Sequence, residues 1–163
     1  MDAIELLEEQ HGEVEELFEK VEKAKSPSAR MKLFEKIGDA LAVHAAIEEK
    51  IFYPAAKAAA TEDLLFEAVE EHLAAKRLIA DLIELDPADE HYRAKLTVLG
   101  EEIRHHIREE RKELFPKVKK LLDKDEREVL GAQMEALCET LKAGAEPPRM
   151  QVPSETMTAA PLT

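Results

Sequence analysis

The sequence has no tryptophan, only 4% aromatic residues and five glycines in 163. Set against abundant Ala, Leu, Glu and Lys, that scarcity favours helices over strands. A single cysteine, Cys138, excludes an internal disulfide framework and fits a reducing compartment. No apolar run approaches the roughly 18 residues of a membrane span, and the acidic opening MDAIELLEEQ lacks the apolar centre of a signal peptide. Positive charge is short too, with 23 Lys and Arg against 36 Asp and Glu, a net charge of −13. Nucleic acid and anionic membranes would be repelled by such a chain, whereas cations would not. The expectation is a cytoplasmic, all-α protein with no nucleic-acid or membrane partner, long enough for one core.

What is present is helical periodicity punctuated by caps and prolines. A first helix over about 2–24, opened by Asp2 with Glu5 as a capping box, carries Ile4, Leu7, Val14, Phe18 and Val21 on one line, and His11 falls on that line. Ser26-Pro27 starts a second helix with Phe34, Ile37, Leu41, His44, Glu48 and Ile51 in step, until Pro54 disturbs its last turns. Thr61 reads as the N-cap of a third helix with Leu65, Val69, His72, Ile79 and Ile83. After Asp86-Pro87, a fourth carries Leu96, Leu99, Ile103, His106, Glu110 and Leu114. Short connections make neighbours antiparallel, so residues 1–122 are expected to form an up-down-up-down four-helix bundle. Asp123 with Glu126 caps a short fifth helix over 123–143, with Leu130, Met134, Leu137 and Leu141 inward. Four of the eight prolines fall after Gly144 without periodicity, so 144–163 is expected to be a flexible, disordered tail.

The chemistry lies in two related stretches, His44 to Pro54 (HAAIEEKIFYP) and His106 to Pro116 (HIREERKELFP). Each has a His, a Glu four residues on and a Pro at plus ten, and on a helix the His and Glu share a face one turn apart. Alone the pair is weak, since so acidic a chain gives about one by chance. Position strengthens it: His44, Glu48, His106 and Glu110 occupy core-facing places, where an uncompensated carboxylate costs several kcal/mol. Repetition strengthens it again, because His11 precedes His44 by 33 residues and His72 precedes His106 by 34. Level completes the case. Counted from the caps and prolines, all four histidines lie roughly 14 to 17 Å from one end of the bundle. His11, His44, Glu48, His72, His106 and Glu110 therefore form a candidate metal site, with donors that suit iron, manganese or zinc.

With these residues in hand the sequence resembles the hemerythrin-like HHE cation-binding family, whose repeat is a lone His followed by His-x-x-x-Glu, twice. The resemblance implies a four-helix bundle holding two iron ions with an oxo or hydroxo bridge, and a small ligand such as dioxygen, hydrogen peroxide or nitric oxide. It implies terminal ligation by His11, His44, His72 and His106, and bridging by Glu48 and Glu110. The dioxygen carriers of that family have a further His four residues beyond the position of His72, where Lys76 stands here. Their second bridging carboxylate lies five residues after its His rather than four. An open position on each metal then points away from reversible carriage, toward catalase-like reaction with peroxide or sensing of an oxidant.

Expectations for the surroundings follow. Leu7, Leu41, Ile47 and Ile103 are expected to wall a dry route to the site, with Tyr53 and Phe115 closing the core beneath. Glu15 is a candidate to face the site, with Lys76 neutralising it or lying on the surface. His91 and His105 are expected on solvated faces, and Cys138 as a small buried hydrophobe. The cluster from Arg104 to Lys120 reads as a surface salt-bridge face.

Overall fold

A computed structural model describes residues Met1–Thr163. It is all-helical: α1 (Ala3–Lys23), α2 (Pro27–Ile47), α3 (Tyr53–Ala56), α4 (Glu62–Glu84), α5 (Glu90–Glu109), α6 (Phe115–Leu121) and α7 (Lys124–Lys142). The caps fall where the chemistry asks for them. Asp2 and Asp123 each accept from backbone N–H groups in the first turn while Glu5 and Glu126 reach back, two complete capping boxes. Thr61 stands at the N-cap of α4, but its hydroxyl donates to the Ala56 carbonyl instead of capping. No helix is long and apolar enough to cross a membrane.

α1 packs on α2, α4 on α5 and α1 on α5, giving the four-helix bundle, with α7 laid across α1 and α2. The core is split in two. Leu7, Val43, Ile47, Tyr53, Leu65, Val69 and Phe115 pack with Met134 and Cys138 of α7 at one end. Val14, Phe18, Leu41, Ile79, Leu99, Ile103 and Ile107 pack at the other. Between the two apolar clusters lies the buried layer of His11, His44, Glu48, His72, His106 and Glu110.

Two helices do not run through unchanged. One helical turn after His44 and His106 the chain widens into π turns, Glu48–Phe52 and Glu110–Leu114. Prolines 54 and 116 account for them: a proline ring clashes with the carbonyl four residues back and offers no N–H to it. The wider turn relieves the clash, and Tyr53 N–H bonds to the Glu48 carbonyl, Phe115 N–H to that of Glu110.

The segment 144–163 is not the loose tail its composition predicts. Pro148–Glu155 forms a 3₁₀ helix packed on α2 and α4, with Val152 and, further on, Leu162 buried. Arg149 fastens it, donating to Glu35 at 2.7 Å and to Asp39 at 3.0 and 3.2 Å. Gly38 makes room, since a Cβ there would press on the Arg149 side chain. Arg149, Val152 and Leu162, with Arg77 donating to the Thr156 and Met157 carbonyls, do the anchoring, and no periodic pattern announces them.

Candidate metal centre

The six predicted residues meet. Donor atoms of His11, His44, Glu48 and Glu110 lie within 4.8 Å of one another, as do those of Glu48, His72 and His106, so Glu48 belongs to both groups. His11 Nε2 is 3.0 Å from Glu110 Oε1, and His106 Nε2 is 3.4 Å from the same oxygen. His72 Nε2 is 3.1 Å from Glu48 Oε1. The carboxylates thus sit between a pair of imidazoles from the first half of the chain and a pair from the second. All six are buried, with Glu48 fully so.

Each imidazole presents Nε2 inward because its Nδ1 is taken. His11 Nδ1 meets Glu8 at 2.9 Å, His44 Nδ1 meets Gln10 at 2.7 Å, His72 Nδ1 meets Glu49 at 2.7 Å and His106 Nδ1 meets Glu71 at 2.7 Å. Such outer partners fix ring orientation and raise the donor strength of the inner nitrogen. In three of the four cases the partner is the sequence neighbour of a predicted site residue on an adjacent helix: Gln10 beside His11, Glu49 beside Glu48, Glu71 beside His72. A helical neighbour is turned by about 100°, which aims it sideways at the next helix. That offset is the signal by which they can be found, and the sequence reading did not use it.

Tyr53 was also missed as a site residue. In an unbroken α-helix it would lie about 180° around from His44. The π turn rotates it inward, so its hydroxyl donates to Glu110 Oε2 at 2.8 Å and stands 3.3 Å from Nε2 of both His72 and His106. Phe115, by contrast, does close the core, stacked on the His11 ring at 5.9 Å.

Other expectations are corrected. Glu15 pairs with Arg111 at 3.0 Å on the surface and does not face the site. Lys76 neither reaches Glu15 nor lies on the surface: it is buried, its ammonium 2.9 Å from Glu49 and 3.2 Å from Glu155. Leu41 and Ile103 do line a cavity above the imidazoles, but Leu7 and Ile47 belong to the opposite apolar cluster. That cavity, about 40 Å³, has Val14, Ile79, Ile107 and Val152 among its walls and His11, His44, His72 and His106 as its floor. His91 and His105 are exposed.

The electrostatics are those of a site short of positive charge. Glu8, Glu48, Glu49, Glu71 and Glu110 surround the imidazoles, and the fixed cations touching them are Lys76 and Arg111. Burial alone would drive His106 neutral, yet Glu110, Glu48 and Glu71 hold its pKa well above the usual value. His72 and His11 are raised in the same way, against burial, by Glu48 with Glu49 and by Glu110 with Glu48. Burial would lift Glu48, but His44 and hydrogen bonds from its neighbours hold it well below the carboxylate range. Tyr53 is pushed far up by burial and by Glu110 and Glu48, so its phenol keeps its proton.

The donor set fits a cation pair. His44 Nε2 and Glu48 Oε2 are buried without a hydrogen-bond partner, and although His44 Nε2 is 3.2 Å from Glu48 Oε1 the two are not aligned to bond. Orphaned buried donors and acceptors are costly in a native structure. Both orphans here are atoms of the kind that can ligate a metal, in one layer, a geometry that a shared cation between them would satisfy.

Comparison with known proteins gives three results. The model of the hemerythrin HHE cation-binding domain matches residues 2–118. A curated DNA nickase from Nostoc sp. is 24% identical over 126 residues, covering 77% of this chain and 36% of that protein, so the chain spans about a third of that relative. A solved hemerythrin HHE cation-binding domain-containing protein from Mycobacterium kansasii aligns with a TM-score of 0.76 at 24% identity, over 93% of this chain and 99% of that one. At that identity the structural likeness speaks for the fold.

Proposed function

The chain belongs to the hemerythrin HHE cation-binding family, and from that premise we propose that it is a non-haem di-iron protein that binds or reacts with a small oxidant: dioxygen, hydrogen peroxide or nitric oxide. His11, His44, His72 and His106 would be the terminal ligands and Glu48 and Glu110 the bridges. The observation that carries this reading is the convergence of four Nε2 atoms and two buried carboxylates, each imidazole braced from behind. Bound there, the iron pair would supply the redox and Lewis-acid chemistry that imidazole and carboxylate lack. Zinc or manganese would accept the same donors, so iron is the reading with most chemical use.

The chain's own residues prepare the site in three ways. The second-sphere groups hold each ring to one tautomer. The Tyr53 phenol keeps its proton and donates a hydrogen bond to Glu110, which fixes the rotation of that carboxylate. The partly enclosed cavity presents a mainly apolar wall above the imidazole floor and leaves space for a molecule of a few atoms. Catalase-like disproportionation, in which two peroxides give two waters and one dioxygen, needs no second substrate and so fits a cavity with no room for one.

A second reading, an iron or redox sensor without turnover, draws support from one chain of contacts. Glu155 of the C-terminal segment touches Lys76, Lys76 touches Glu49, and Glu49 braces His72, so the packing of that segment is tied to the centre. We carry no nicking activity over from the Nostoc relative, of which this chain spans about a third, and a net charge of −13 repels phosphate.

The deciding experiment is the iron-to-protein ratio with absorption spectra before and after peroxide, oxygen release being followed alongside. Sustained release supports turnover, and a single bleaching supports sensing. Protein that takes up no iron and shows no near-ultraviolet charge-transfer band would sink both.

A further inference from the structure

The cavity over the four imidazoles has a thin outer wall. Val152 and Glu155 of the 3₁₀ segment and Lys76 of α4 line it from inside. Val152 and Glu155 also line an open cleft of about 380 Å³ that runs on to α7, and Lys76 with Glu155 lines a second, of about 460 Å³, beside the last residues of the chain. One layer of side chains therefore separates both clefts from the imidazole floor.

The fastening of that layer is uneven. Upstream, Arg149 is tied to Glu35 and Asp39. Downstream, Arg77 donates to the carbonyls of Thr156 and Met157. Between these anchors the wall is held by Val152 and one ion pair, Lys76 to Glu155 at 3.2 Å, whose carboxylate is 42% exposed. An ion pair open to water on one side contributes little. The middle of the strap can therefore part while both ends stay bound.

We propose that Lys76, Val152 and Glu155 form a gate and size filter for the buried centre, an inference that rests on the metal-site reading above. With the strap packed, the cavity is partly enclosed and its volume of about 40 Å³ admits a diatomic molecule or hydrogen peroxide but is too small for an organic hydroperoxide or an aromatic chelator. Larger molecules reach the imidazoles only through the opened state. Their access is limited by how often the Lys76–Glu155 contact breaks, a local opening of the low-stability part of the fold.

The test compares the full-length protein with Glu155→Ala and Val152→Ala, each checked for unchanged helicity. In iron-loaded protein, removal of iron by 2,2′-bipyridine should become independent of chelator concentration at a plateau set by opening. That plateau should rise about fivefold or more in both variants, the effect of losing one weak contact. In metal-free protein, diethyl pyrocarbonate should modify His72 and His106 faster in the variants by a similar factor, read by peptide mass spectrometry. Removal that stays proportional to chelator and equal in all three proteins, or histidine modification unchanged by the substitutions, overturns the gate. Should the protein take up no iron, the modification rates still decide: faster labelling keeps the gate while the metal reading falls, and equal labelling removes the gate.

Discussion

The Tyr53 hydroxyl donates to Glu110 Oε2 at 2.8 Å, joining the end of one π turn to the start of the other across the buried layer. Because Glu110 Oε1 faces His11, the phenol is the group that fixes how that carboxylate is rotated. Tyr53→Phe keeps the ring's packing and removes that one donor. We expect metal still to bind, with affinity lowered about 10- to 100-fold as for loss of an outer partner. The metal-free protein should lose about 1 to 3 kcal/mol, the cost of an unsatisfied buried acceptor. Metal titration and thermal melting check both, and wild-type values in each would reduce the phenol to packing.

Glu48 is the carboxylate shared by the two donor groups, and it is fully buried. Glu48→Gln has nearly the same shape and lacks the charge. The expected outcome is a loss on both counts: metal content collapses, and the metal-free fold is destabilised near neutral pH, because the depressed Glu48 pKa and the raised His72 and His106 values make the ionised carboxylate favourable in the folded state. His44→Ala and Glu110→Ala should lower metal content and thermal stability together. Metal analysis beside melting of loaded and stripped protein makes the comparison, and a Gln variant with full iron loading would remove Glu48 from the site.

Opposite pH trends are expected with and without metal. In the metal-free protein the folded pKa values of His106 and His72 are raised above 6.5 by the carboxylates around them, against burial. Their contribution is fully present below the unfolded value and is lost as pH rises through the folded one, so the melting temperature should fall as pH rises above 6.5 and through the folded values. Glu48, depressed below 4.5, contributes above that value and ceases to as pH falls through its folded pKa. Metal must displace the imidazole protons, so its affinity should rise over the same window in which metal-free stability falls. A metal-free melting temperature that is flat or climbs across that range contradicts the assignment.

Much of this arrangement was legible because it is periodic. The apolar lines, the caps at Asp2, Ser26 and Asp123, and the equal heights of His11, His44, His72 and His106 all follow from counting along helices, whereas the fourth long helix is capped by Asp89 and not opened at Asp86-Pro87. What escaped was aperiodic or hidden by composition. Tyr53 enters the site through a π turn whose effect on phase is not visible in a three- and four-residue pattern. Glu8, Glu49 and Glu71 are carboxylates among 36 acidic residues, and only their partners distinguish them. Lys76 on the apolar side of α4 looked like a surface residue because its counter-charges, Glu49 and Glu155, come from distant segments. The same distance concealed the packing of 144–163, where Arg149 finds Glu35 and Asp39 more than a hundred residues earlier.

The docking of α7 on the start of α1 rests on a glycine, and this gives a prediction independent of the metal. A Cβ built at Gly131 would meet the Met1 carbonyl and the backbone of Asp2 and Ala3, none of which is a flexible side-chain tip. The same first residues carry the capping box of α1 and, through Asp2, a contact to Arg127 at 3.4 Å. Gly131→Ala must therefore push the two helices apart or shift the α1 N-terminus, at about 1 to 3 kcal/mol, the cost of overpacking. Gly12, also helical, has open space around its Cβ position, so Gly12→Ala should stabilise by about 0.5 to 1 kcal/mol through helix propensity. Chemical denaturation of the two variants beside wild type reads the contrast. If Gly131→Ala proves as harmless as Gly12→Ala, α7 is not seated against the α1 N-terminus, and the closed end of the bundle beneath the metal layer would have to be built differently.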